Sequence, residues 1–117
     1  MRIDHVQLAI PRGSEAVCRA FYCGLLGWRE IDKPPALAAR GGLWLDIGAG
    51  QVHLGVEEDF RPARKAHPAL SVEDLDGLAR TLQDAGVSVA FDDAIAGVRR
   101  FYAHDPVGNR LEFIQGR

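Results

Sequence analysis

Three of the four histidines and one glutamate stand where they could share a chemical task. His5 and His67 each open a stretch of the form His-x-x-Leu, then a small residue, then a β-branched one: His5-Val6-Gln7-Leu8-Ala9-Ile10 and His67-Pro68-Ala69-Leu70-Ser71-Val72. His53 and Glu112 each lie between apolar neighbours, in Val52-His53-Leu54 and Leu111-Glu112-Phe113. The opening pair is 62 residues apart and the closing pair 59, so the four occupy two equivalent positions in two equivalent halves. Three imidazoles and one carboxylate suit a divalent ion such as zinc, nickel, iron, cobalt or manganese. With one anionic ligand the ion keeps a net positive charge, which can polarise a carbonyl or enolate oxygen and acidify bound water. Taken one at a time, a histidine opening a strand is more often a satisfied polar edge residue; the symmetry of the set argues for a site.

The elements that must position them follow from periodicity. In Ile3 to Ile10, Val6, Leu8 and Ile10 make one face and His5, Gln7 and Ala9 the other, as in a half-buried strand. After Pro11-Arg12-Gly13, Ser14 is a candidate N-cap with Glu15 in the first turn. The helix it starts runs to about Leu26, with Val17, Ala20, Phe21 and Leu25 as its core stripe and Gly27 as its stop. Strands are expected at Trp28 to Ile31, Leu43 to Ile47 and Gln51 to Glu57, with Pro34-Pro35 ending the first of these. The stretch from Glu58 to Ala66 is polar, contains proline and shows no period, so it reads as a connector. The order then repeats. A strand at His67 to Val72 precedes a helix capped by Asp74 with the stripe Leu75, Leu78, Ala79, Leu82 and Ala85, and Gly86 stops it. Strands at Val87 to Phe91, Val98 to Ala103 and Arg110 to Gln115 complete the chain. The expected fold is α+β: two β-α-β-β-β repeats, 1–57 and 67–117, forming curved mixed sheets around a cleft, with one helix backing each and 58–66 between them. By strand parity His5, His53, His67 and Glu112 point away from the helix-packed faces.

Composition narrows the classes. A chain of 117 residues supports one domain with a modest core. With 47% apolar and 26% charged residues it reads as globular, and a net charge of −2 offers no basic balance for nucleic acid. No apolar run approaches the length of a membrane span, and Met1-Arg2-Ile3-Asp4-His5 lacks the apolar core of a signal peptide, so a cytoplasmic location is expected. Cys18 and Cys23 lie five apart on one helix, diverge around it and read as free thiols.

Several stretches together carry a family likeness. They are Asp4-His5-Val6-Gln7-Leu8-Ala9-Ile10, the helix end Phe21-Tyr22-Cys23-Gly24-Leu25-Leu26-Gly27-Trp28, His67 with Leu70-Ser71-Val72, and Asp105-Pro106-Val107-Gly108-Asn109 followed by Leu111-Glu112-Phe113. As an ordered set spanning nearly the whole chain, they resemble the vicinal oxygen chelate superfamily of glyoxalase, fosfomycin-resistance, bleomycin-resistance and extradiol dioxygenase proteins. The resemblance implies a metal held by the opening and closing strands of each half, here His5, His53, His67 and Glu112. His53 departs from the family pattern, in which that position is often Glu, Gln or a non-ligand.

The resemblance also implies a homodimer with half-sites completed across chains, and substrate contacts on the strand before the Asp-Pro turn. On that strand Arg100, Tyr102 and His104 share a face: Arg100 could grip an anionic group bidentately and Tyr102 could donate to a developing oxyanion. Gln7 is expected beside His5, and Arg61, Arg64 and Lys65 make the connector basic. Two function classes follow. One is a glyoxalase-like metal-dependent lyase, isomerase or oxygenase that chelates neighbouring oxygens of a small, anionic substrate, with Glu112 moving a proton. The other is a bleomycin-resistance-like protein that binds a small molecule without metal.

Overall fold

The computed structural model describes residues 1–116. The chain divides after Pro62 into two compact units, so the boundary falls inside the expected connector.

In the first unit the order is β1 (His5–Ile10), α1 (Glu15–Arg19) running on into a π-helical stretch (Ala20–Leu25), β2 (Arg29–Ile31), a short α2 (Pro35–Ala38), β3 (Leu43–Asp46) and β4 (Gln51–Val56). The sheet order is β1-β4-β3-β2, with β1 and β4 parallel and the other pairs antiparallel. The helix is tied to the sheet by Arg19 Nε donating to Glu30 of β2 at 2.7 Å, and by Gly42 N donating to the Glu15 carboxylate at 3.1 Å. Gly42 has φ +83°, and a Cβ there would run into the carbonyl oxygen of Leu54, so glycine alone lets the chain pass β4 so closely.

The second unit repeats the plan with β5 (Ala69–Val72), α3 (Leu75–Asp84), β6 (Ala90–Asp92), β7 (Arg100–His104) and β8 (Arg110–Gln115). Its sheet order is β5-β8-β7-β6, again with one parallel pair, β5 and β8. Asp74 caps α3, its carboxylate accepting from Gly77 N at 2.9 Å. The turn into β8 is locked by Asp105, whose Oδ1 accepts from Val107 N at 3.0 Å and Asn109 N at 2.8 Å. Asn109 Oδ1 in turn accepts from Ala63 N at 2.9 Å, fastening the end of the connector to this unit.

The expected β-α-β-β-β repeat is therefore present, with local differences that have physical causes. The helix of the first unit buries Phe21 as expected, but joins it with Cys18 and Tyr22 in place of Val17, Ala20 and Leu25, and Val17 is 53% exposed. Cysteine and tyrosine pack there as apolar bodies, and the widened turn, with Leu26 N bonded to Phe21 O, moves Leu25 off the buried face. Ser14 stands at the N-cap but turns its hydroxyl back to Pro11 O, so its side chain does not cap. Pro34-Pro35 ends β2 and also starts α2, where proline at the first helical position costs no hydrogen bond. Pro68 cannot donate to the ladder, so β5 begins at Ala69 and His67 lies just outside it. Val87 N bonds to Leu82 O at the end of α3, which delays β6 to Ala90. Cys18 and Cys23 are thiols not joined in a disulfide, as expected.

Candidate functional site

Each unit gathers its own pair of candidate residues. In the first, β1, β4 and β3 lie side by side, with Gln7 and Trp44 both in register with His53. The His5 ring leans over to His53, giving ring centroids 4.1 Å apart at 16°, and Trp44 lies 4.1 Å from His53 on its other side at 6°. His53 is thus the middle plate of a three-ring stack and is only 4% exposed. Burial pushes its pKa down, helped by the neighbouring His5 and Lys33 and opposed by Asp4. His53 Nε2 is 2.8 Å from Gln51 Oε1, an acceptor, so Nε2 carries the proton. His5 Nδ1 is 2.8 Å from Asp4 Oδ1, an acceptor, so Nδ1 donates, and in a neutral ring Nε2 would carry the lone pair. The His5 contact holds the Asp4 carboxyl below its ordinary pKa. Around the stack is an open cavity of about 720 Å³, also lined by Gln7, Lys33, Leu37 and Arg40. The Gln7 amide lies across Gly55, in space that a Cβ at Gly55 would fill.

In the second unit the gathering is electrostatic. Glu112 is buried, and its Oε1 lies 3.2 Å from His67 Nε2 and 3.1 Å from Arg100 Nη1. Arg100 also reaches Asp92 at 3.1 Å and donates to the Tyr102 hydroxyl at 2.8 Å, while its buried Nε has no hydrogen-bond partner among the described residues. Although desolvation disfavours the charged form of Arg100, Asp92, Tyr102 and Glu112 outweigh it and raise the pKa. Tyr102 is in register with Glu112, and the Arg110 guanidinium sits 3.9 Å from its ring centroid. His67 Nδ1 is 2.7 Å from the Lys65 carbonyl oxygen, so it is the donating nitrogen. In a neutral ring, Nε2 would therefore turn a lone pair towards the Glu112 carboxylate. Two acceptors facing each other in a buried place call for a cation between them, either a proton or a metal ion.

The donors can be tested against an ion on this geometry. An ion bound to an imidazole lies close to the ring plane, about 2.1 Å from the nitrogen. Planes 4.1 Å apart and inclined by 16° do not meet within that reach of both rings. Of the first pair, His5 fits a donor role, its Nδ1 held by a carboxylate and its Nε2 free, the arrangement common for metal-bound histidines. His67 and Glu112 fit as well, since 3.2 Å is the separation of two neighbouring ligands on one ion. Among the described residues, neither unit alone groups three His, Cys, Asp or Glu side chains about a common point.

Gln7, Arg100 and Tyr102 sit beside the predicted histidines and glutamate of their own units, whereas His104 is exposed at the far end of β7. Sequence reasoning missed Trp44, Asp92 and Arg110. Trp44 alternates with buried Leu43 and Leu45, and Arg110 is two residues from Glu112, so parity extended to those strands would have placed both.

A profile of the Glyoxalase/Bleomycin resistance protein/Dioxygenase superfamily matches residues 2–113, and the chain belongs to that superfamily. A crystal structure of a protein from Bacillus anthracis assigned to the glyoxalase family superposes with a TM-score of 0.96 at 45% identity, over 100% of this chain and 96% of the other. A glyoxalase/dioxygenase from Nostoc punctiforme gives 0.80 at 18% identity, covering 99% and 91%. Lactoylglutathione lyase from Agrobacterium tumefaciens gives 0.78 at 16%, covering 98% and 93%. The last two share the fold. No curated protein sequence matches. The superfamily holds lyases and dioxygenases alongside members that are not enzymes. Among the described residues, no helix is long and apolar enough to cross a membrane.

Proposed function

We propose that the protein is a glyoxalase-like metal-dependent enzyme of the lyase, isomerase or oxygenase kind, acting on a small anionic substrate through two neighbouring oxygens. The observation that carries this reading is the part-buried approach of His67 Nε2 to Glu112 Oε1 at 3.2 Å, which in a neutral His67 ring sets two acceptor atoms side by side where a cation would fit. In the second unit His67 and Glu112 would hold a divalent ion; in the first, His5 is the candidate ligand, with His53 beside it as a ring partner. When bound, the ion supplies a positive charge that stabilises an enolate or alkoxide oxygen of the substrate. The chain's own groups do the rest. Glu112 is the carboxylate at which a proton is held, kept in place by Arg100, which Asp92 anchors from its other side. The Tyr102 hydroxyl accepts from Arg100, so its own hydrogen is free for an oxyanion. Arg110 over the Tyr102 ring adds positive charge for an anionic substrate. The active form is a homodimer, and light scattering at micromolar concentration should give twice the 12.8 kDa chain mass.

A second reading has its own observation. Arg100 Nη1 already offsets the Glu112 charge, which a metal-free binding protein of the bleomycin-resistance type would need. Metal analysis of protein purified without an affinity tag separates the two. One equivalent of ion per chain, lost on Glu112→Gln, supports the enzyme; no stoichiometric metal, or metal indifferent to Glu112→Gln, overturns it.

A further inference from the structure

We infer that the cavity of the first unit selects a flat, conjugated anion, an aryl or aryl-like carboxylate, which extends the His5–His53–Trp44 stack by one more plate. The inference rests on the proposed function and names its substrate class.

Three near-parallel rings at 4.1 Å spacing make a polarisable platform whose outer plates have no further ring partner in their own unit. His53 is enclosed on both faces and Trp44 has Ile31 of β2 in register on its far side, whereas His5, at the outer end of the stack, keeps 43% of its side-chain surface exposed and lines the cavity. A planar ligand gains offset stacking there that a puckered ring of equal size cannot match. The same cavity carries Lys33 and Arg40 on its wall. The Lys33 ammonium is held by the Gly41 carbonyl oxygen, a neutral partner that leaves its charge uncompensated. Arg40 is exposed and makes no ion pair among the described residues. The one lining carboxylate, Asp4, bonds to His5 and keeps its charge, so the lining carries two cations against one anion. The wall is therefore cationic, and Leu37 supplies an apolar flank.

The test is calorimetric titration of metal-free protein, treated with chelator, with benzoate, 2-naphthoate, cyclohexanecarboxylate and benzamide. Benzoate should bind roughly tenfold more tightly than cyclohexanecarboxylate, and 2-naphthoate more tightly still. Benzamide, which lacks the charge, should bind more weakly than benzoate, and that gap should close in the Lys33→Ala/Arg40→Ala double variant. His53→Leu, which breaks the stack, should erase the preference for benzoate over cyclohexanecarboxylate, and His53→Phe, which restores a ring, should keep it. Equal affinity for the two carboxylates in the parent protein, no binding of any at millimolar concentration, or loss of the preference in a folded His53→Phe variant would overturn the inference. Metal is counted in a separate sample of the untreated protein. Stoichiometric metal without the aryl preference defeats this inference alone; aryl preference without metal defeats only the metal-dependent reading.

Discussion

His53 and Glu112 occupy the same position on the closing strand of their units, flanked in each case by buried aliphatic or aromatic neighbours, and both are nearly inaccessible. Each has been taken out of water by a different means. Around His53 the sheet supplies rings, and burial keeps the imidazole in its uncharged form, which costs little in an apolar setting. Around Glu112 it supplies charge, with a guanidinium, an imidazole and a second carboxylate behind the guanidinium. One topology thus offers a ring platform in one unit and a charged cluster in the other. A duplicated fold can divide recognition from chemistry in this way without changing a strand.

The largest expected contrast is in metal affinity. Glu112→Gln removes the anionic donor while keeping its shape, and titration with zinc or cobalt should show a loss of about 100-fold. His53→Gln should change that affinity only a few-fold; a loss as large as that of Glu112→Gln would put His53 back among the ligands. Next comes stability. Arg100→Met leaves Glu112 and Asp92 facing each other without their shared cation, and urea unfolding should show a clear fall in the midpoint. Trp44→Leu removes one plate of the stack and should cost about 1 kcal/mol beyond the burial it loses, measured as the coupling in a double-mutant cycle with His53→Leu. An Arg100→Met protein as stable as the parent would show that the charged cluster is not holding its unit together.

A smaller effect is the pH dependence carried by His53. Its folded pKa lies below the ordinary 6.5, so between the two values the unfolded chain binds more protons than the folded one. Stability should therefore decline as pH falls through 6.5, until the folded pKa is passed, and the thermal midpoint of His53→Phe should decline less over that range. The smallest change is expected at Arg99, which pairs in two-pronged fashion with Asp76 in the open: Arg99→Ala should leave the midpoint within error.

The repeat was legible because His5 and His67 start matching patterns, and because alternation around Leu8, Leu54 and Phe113 marks one face of each strand. Glu112 was legible for the same reason. What stayed hidden was set by neighbours far along the chain. That His53 lies under His5 depends on β1 pairing parallel with β4, a register that leaves no local trace. Arg100 was expected to hold a substrate anion, but whether a guanidinium serves a ligand or a carboxylate of its own chain depends on Asp92 across the hairpin. The helix stripe was missed at Val17 because hydropathy ranks valine above cysteine and tyrosine, while packing ranked Cys18 and Tyr22 first.

The amide of Gln7 rests where a side chain on Gly55 would have to go, reaching diagonally across the parallel pair β1 and β4, in which Gln7 is in register with His53 and Gly55 with Ala9. Positions 7 and 55 are therefore not free to vary separately. Across related sequences an alanine or larger residue at 55 should be accompanied by a shorter residue at 7, and the pair should covary more tightly than either does with its chain neighbours. Swapping bulk from one strand to the other, with Gln7→Ser and Gly55→Ala together, should be better tolerated than Gly55→Ala alone. The floor of the cavity would then act as a two-position dial that selection can turn without touching His5 or His53.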